Sequence, residues 1–316
     1  MHLLGNGLSG SGCWFRGVWW HAPFLRAMAR DVGIRSSYRA VDFDEAYVAQ
    51  LEHWFRKSSL GAAVLLGCDA VHLPSGEPRQ DLTPLYVPND YVFKVCAAVP
   101  GFLPGVSIHP GRRDALEELD RCAERGAALL KLLPCVQIID PNDRRYELFW
   151  RRMAELRLPL LAHTGGEFTL PNHRPDLQTP ACLRLPLECG VNVIAAHCGA
   201  RALPWEPDYF RNFCEMRERY ANLFGDLSAL SQPTHLRTLA GLRQAPQRIL
   251  HGTDYPVVTA VWWSRIRGWL DARTARELRA EPNPLERKIR LTRALGFPER
   301  VFQEAWQILR CPPQRQ

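Results

Sequence analysis

Pro159-Leu160-Leu161-Ala162-His163-Thr164-Gly165-Gly166 is a short apolar run that ends in a histidine and then in loop-forming residues. The pattern returns as Val193-Ile194-Ala195-Ala196-His197-Cys198-Gly199. It returns again, with an aspartate, as Ile249-Leu250-His251-Gly252-Thr253-Asp254-Tyr255-Pro256. Short continuous apolar runs bounded by turn residues read as buried strands. Outward from these three, further candidate strands are Ala62–Cys68, Gly105–His109, Ala127–Leu132 and Leu223–Leu227. Amphipathic stretches lie between them, at Asp42–Ser58, Arg113–Arg125, Asp143–Arg157 and Tyr209–Tyr220. Alternating strands and helices imply parallel βαβ units. An open doubly wound sheet would favour a glycine-rich phosphate loop after its first strand. Gly5-Asn6-Gly7 and Ser9-Gly10-Ser11-Gly12 do not match that motif and read as a flexible, substrate-facing loop. A (β/α)₈ TIM barrel is preferred, because it brings the polar strand ends to one mouth. Seven candidate strands are one short of eight.

The 316 residues fit one such domain, residues 1–316, with a helical C-terminal portion over about 257–316. Apolar residues at 46% and charged residues at 23% are ordinary globular values. No apolar run reaches the ~18–20 residues of a membrane span. The ten cysteines are scattered without a C-x-x-C pair, as in a reducing compartment. A cytoplasmic protein without a membrane partner is expected. Of the net charge of +7, the segment from Val261 onward holds nearly all, with twelve Lys/Arg against six Asp/Glu. Acids such as Glu277, Glu281 and Glu286 interleave there, as on a solvated helix face, and no nucleic-acid-binding motif is present. No nucleic-acid partner is expected. A small-molecule substrate is, and a homo-oligomer is compatible with the sequence.

His163, His197 and Asp254 stand at the ends of three candidate strands, so a barrel would let them meet around one ion. Two imidazoles and a carboxylate suit Zn²⁺ or a similar divalent metal with a position open to water. Singly, each has a plainer reading: a strand-end histidine is commonly a hydrogen-bonded structural residue, and an Asp after Gly-Thr a cap or turn residue. Their coincidence at strand ends favours the metal. Lys131, one of only four lysines, lies inside the apolar run Leu129-Leu130-Lys131-Leu132.

These motifs, with Ser107-Ile108-His109-Pro110 and Lys131-Leu132-Leu133-Pro134, resemble the amidohydrolase superfamily, specifically its amidohydrolase-related metal-dependent hydrolases and decarboxylases. The resemblance covers nearly the whole chain. It implies a metal shell of His2, His163 and Asp254, with His197 as a second-metal ligand or water-positioning group. Lys131 joins only if carboxylated. Asp254 and His197 are the implied catalytic residues, Asp254 as general base. The family's first strand ends in D-x-H-x-H. Here Met1-His2-Leu3-Leu4 supplies only the second histidine. The first strand and one ligand thus look truncated, which predicts a start several residues upstream or an impaired member.

The resemblance implies a hydrolase using a metal-activated water on an amide, lactone or ester of a small organic acid. The alternatives are a metal-dependent non-oxidative decarboxylase on the same scaffold, or a catalytically impaired barrel acting as a binding module. His109, Glu167, Arg201 and Tyr255 are candidates for substrate contact, Arg201 as a bidentate carboxylate ligand or else paired with Glu206 or Asp208. Trp14, Trp19 and Trp20 would line an aromatic pocket or pack on the rim. His21, His53, His72, His173 and His235 have no supporting context.

Overall fold

The computed structural model describes residues 1–16 and 22–310. Trp19, Trp20, His21 and Cys311 lie outside them. Seven strands form one parallel sheet, β2 (Ala63–Leu66), β4 (Phe102–Val106), β5 (Leu129–Leu132), β6 (Leu160–His163), β7 (Val193–Ala196), β8 (Leu223–Asp226) and β9 (Ile249–Leu250), in that order. Every neighbouring pair is parallel. Helices fill the crossovers at Phe43–Arg56, Ala115–Glu124, Glu147–Glu155 and Phe210–Arg219, as the amphipathic stretches require. The chain is an α/β barrel of the (β/α)₈ kind. Its eighth position is held by almost nothing: His2 makes a single parallel bridge to Leu66. Leu66 N donates to Met1 O at 2.9 Å and Leu3 N to Leu66 O at 3.3 Å, while His2 N reaches Tyr255 O, just past β9, at 2.8 Å. Three residues therefore close the ring at its mouth. Deeper in the same gap lies a cavity of about 260 Å³, lined among others by Met1, Val64, Lys131, Leu250 and Trp306.

From Val261 to Ile308 the chain is helical, in segments that include Val261–Ile266, Ala272–Ala280 and Pro284–Ala294. Leu285, Ile289 and Thr292 are buried at helical spacing. Asn283 caps the last of these by accepting from Leu285 N and Glu286 N. The acids interleaved here make ion pairs, Arg290 with Glu281 and Glu286, and Arg273 with Glu277. The nine described cysteines are free thiols. Among the described residues no helix is long and apolar enough to cross a membrane.

Two features depart from the sequence reading. A two-stranded antiparallel ribbon, β1 (Trp14–Phe15) with β3 (Leu85–Tyr86), sits outside the main sheet, where two-residue strands leave no periodic signal. Trp14 stacks on Tyr86 at 4.4 Å and does not line the site cavity described below. The glycine-rich loop, expected to be flexible and to face substrate, is instead wrapped around Asp44. Asp44 is 1% exposed and accepts from Asn6 N (2.6 Å), Gly7 N (3.2 Å), Ser9 Oγ (3.2 Å) and Ser11 Oγ. A buried carboxylate needs such donors, so the glycines serve a tight clasp. Asp44→Ala leaves these donors without their acceptor and is expected to cost about 3 kcal/mol. A stability loss, read from the urea midpoint, of less than a third of that would refute the clasp.

Candidate functional site

His163 is the last residue of β6, and His197 and Asp254 follow the ends of β7 and β9. His2 arrives beside them through the three-residue closure. All four line one cavity of about 480 Å³. His197, Cys198 and Asp254 have left-handed backbones, with φ of 62°, 54° and 56°. Such non-glycine conformations cost about 1–3 kcal/mol each and persist where surrounding contacts impose them. Gly165 shows how close those contacts are. It has φ +87°, and a Cβ there would lie 2.0 Å from the Ala200 carbonyl oxygen. The loop carrying His163 is thus pressed against the loop carrying His197.

His2 Nε2 lies 3.3 Å from Asp254 Oδ1. The His163 and His197 rings meet edge to face at 5.0 Å. His163 Nε2 is buried without a hydrogen-bond partner, its nearest carboxylate oxygen being Glu167 Oε2 at 3.7 Å. Glu167 is itself fixed: its Oε1 accepts from Thr169 N and Oγ1 and from Leu170 N. His197 Nδ1 lies 3.0 Å from Ser228 O and 2.9 Å from Ser228 Oγ. Ser228 Oγ donates to Asp226 Oδ1 at 2.5 Å, so it accepts from His197, and the ring's Nε2 keeps its lone pair free. Asp226 also accepts from His197 N at 2.9 Å. Asp226 and Ser228 are the supports that the sequence reading missed. The signal was there, an aspartate inside the candidate strand Leu223–Leu227, which the structure ends at Asp226.

Burial lowers the pKa of His163 well below its ordinary value, helped by His197 and Lys131. Burial also lowers His2, against the pull of Asp254. For Asp254, burial acts upward, but the His2 hydrogen bond and the positive field of His197, His2 and Lys131 prevail, holding the carboxyl far below the usual carboxylate range. His2 and His163 are thus pushed toward the neutral ring and Asp254 toward the ionised carboxylate, the forms that a metal requires. Among the described residues, no group of three or more His, Cys, Asp or Glu is spaced to hold an ion as it stands. His2 and Asp254 are paired with each other, and an ion would have to replace that contact. The unpartnered His163 Nε2, the free His197 Nε2 and this pair fit a divalent metal by donor chemistry.

The remaining candidates fall elsewhere. Glu167 lines the cavity; His109, Arg201 and Tyr255 do not. His109 accepts from Gly111 N through Nδ1, and its ring lies tilted against His72 at 5.1 Å. Arg201 donates to Pro204 O at 3.0 Å. Its expected partner Glu206 is taken by Ala202 N and Leu203 N, and Asp208 accepts from Phe210 N. Tyr255 is buried against Tyr47. Lys131 lines the smaller cavity in the closure gap and not the site cavity. His235, with no sequence signal, does line the site cavity.

Residues 86–288 match the family described as amidohydrolase. No curated protein matches the chain. Among solved structures, an uncharacterised TIM-barrel protein from Bordetella bronchiseptica is 19% identical with a TM-score of 0.57, over 93% of this chain and 98% of its own. A putative 2-pyrone-4,6-dicarboxylic acid hydrolase from Pseudomonas putida is 17% identical with a TM-score of 0.50, over 90% of each chain.

Burial also holds His109 and His235 down to about 4 and His251 down to about 3. In the unfolded chain these rings take a proton near 6.5, so between that value and about 4 the unfolded state binds more protons. Stability is then complete above pH 6.5 and falls by about 1.4 kcal/mol per pH unit per histidine below it, until the native rings also protonate. Urea midpoints should drop steeply from about pH 7 to about pH 5. A flat profile would rule out buried neutral rings.

Proposed function

Because the chain belongs to the amidohydrolase family, we propose that it is a metal-dependent hydrolase that adds water to an amide, lactone or ester. The supporting observation is the buried, unpartnered Nε2 of His163 beside the free Nε2 of His197 and the His2–Asp254 pair. His2, His163, His197 and Asp254 would hold a divalent cation, Zn²⁺ before others because of its taste for imidazole and carboxylate ligands. When bound, such an ion supplies Lewis acidity toward the carbonyl oxygen and toward water.

The chain's own groups do the rest. Asp254, ionised throughout the working range, takes one proton from the attacking water as its oxygen bonds to the carbonyl carbon. It returns that proton to the leaving oxygen or nitrogen as the scissile bond breaks. His197 is held in one tautomer by the relay Asp226–Ser228–His197, so its Nε2 faces the reaction as an acceptor of fixed orientation. Glu167, anchored on its own loop, stands beside His163, its Oε2 3.7 Å from Nε2. Lys131, in the other cavity, takes no part in this reading.

Elemental analysis of the full chain should find bound zinc, reduced by His163→Ala. Asp254→Asn should lower kcat for ester or lactone hydrolysis by about 10³-fold while the fold is retained. An intact, metal-loaded protein that releases CO₂ from aromatic acids and hydrolyses no ester or lactone would replace hydrolysis with decarboxylation. An intact barrel that takes up no metal would leave a binding module.

A further inference from the structure

The wall of the site cavity beyond the four polar residues has a definite chemistry. The helix Ala22–Val32 contributes Phe24, Leu25 and Met28, and the loops after β6 and β7 contribute Phe168, Leu170 and Leu203. Phe24 and Phe168 meet edge to face at 5.6 Å. Among the described residues, no lysine or arginine lines the cavity, and its formal charges are the carboxylates Glu167 and Asp254. In a chain of net charge +7 the cations are placed elsewhere. Of the arginines adjacent in sequence to lining residues, Arg16 donates to Gln80 O, Arg201 donates to Pro204 O, and Arg26 is exposed. Residues 17–21, which precede the helix, contain no lysine or arginine either.

The polar side chains on the wall are spent on the protein itself. Gln232 Nε2 donates to Val258 O at 2.7 Å, Thr234 Oγ1 to Ala202 O at 2.9 Å, and Thr169 Oγ1 to Glu167 at 2.7 Å. His235 Nδ1 is bound to Ala229 O at 2.9 Å, which makes that nitrogen the donor and Nε2 an acceptor. A carboxylate seated away from the scissile carbonyl would lose its water and meet carboxylates, apolar carbon and a ring acceptor. An unpaired buried anion is strongly disfavoured, whereas aryl and alkyl groups gain from the same wall. About 480 Å³ lies in the range of pockets that take small organic molecules.

We propose that the part of the substrate seated in this cavity is uncharged and apolar: an aryl-sized ester, lactone or amide with no carboxylate beyond the bond to be broken. This rests on the hydrolase reading for the bond, but the choice of body rests on the wall alone. Specificity then comes from Phe24, Leu25, Met28 and Phe168 rather than from an arginine clamp.

Matched pairs test it in two separate measurements on the full chain. By calorimetry, the unreactive ketone acetophenone should bind at least about 30-fold tighter than 4-acetylbenzoate, the penalty for an unpaired anion. Phe24→Ala should weaken acetophenone about 10-fold, as loss of an aromatic contact surface predicts. Leu25→Arg, at a half-buried position, should raise 4-acetylbenzoate affinity about 10-fold without strengthening acetophenone, so that the preference shrinks to about 3-fold or less. Equal or tighter binding of the carboxylate by the unaltered chain overturns the proposal, and so does the failure of acetophenone to bind. In the second measurement, phenyl acetate and 4-carboxyphenyl acetate are offered as substrates. Ketone binding with the expected preference but no phenyl acetate turnover would sink the hydrolase reading and leave the assignment of an apolar body standing.

Discussion

The structure depends on the bonds by which Met1–Leu3 bridge the two edges of the sheet. A parallel sheet that curls into a barrel has to pair its two edges, and unpaired edges carry a row of unsatisfied backbone groups. Here β2 and β9 are too far apart to pair, and Met1–Leu3 spans them with bonds to Leu66 on one side and Tyr255 on the other. Two further contacts lock it. The terminal ammonium donates to Val64 O at 2.8 Å, and the buried Tyr47 hydroxyl donates to His2 O at 2.7 Å. The same bonds that close the ring set His2 beside Asp254. Sheet closure and assembly of the site are therefore one event.

This coupling explains what the sequence disclosed. Strands buried on both faces read as apolar runs, so β2 and β5 through β9 were visible; β4 was placed three residues late, at Gly105–His109 against Phe102–Val106, and polar residues stood out at the ends of β6, β7 and β9. His163, His197 and Asp254 were legible for that reason, and His2 by position in a motif. The ribbon β1–β3 was not, because two residues of strand have no period. The glycine-rich loop misled because glycine marks conformational freedom in a sequence, while in the fold the loop's amides and hydroxyls converge on Asp44. Nothing in the local sequence around residue 5 points to an acceptor nearly forty positions away.

Side-chain direction was the other gap. Arg201 and Tyr255 stand next to, or four residues beyond, residues that face the cavity, and spacing alone placed them there too. Gly199, with φ +73°, turns the chain after His197 and takes Arg201 with it toward Pro204. Tyr255 follows the left-handed Asp254 and enters the core, where its ring packs on Tyr47. Strand-end residues are fixed by the sheet; residues past them are fixed by turns, whose geometry depends on contacts that only the fold supplies.

The two cavities divide the charged interior between them. Asp254 lines both, while His2 lines the larger and Met1 the smaller. Lys131 lies in the smaller one, where burial pushes its pKa down against the pull of Asp254. Positive field thus reaches Asp254 from Lys131 in the smaller cavity, while among the described residues no lysine or arginine lines the larger one. An aspartate stabilised in this way stays ionised inside an otherwise apolar pocket, where desolvation alone would have protonated it. A carboxylate poised beside apolar walls calls for a support hidden from the substrate, and the residues behind the closure supply it.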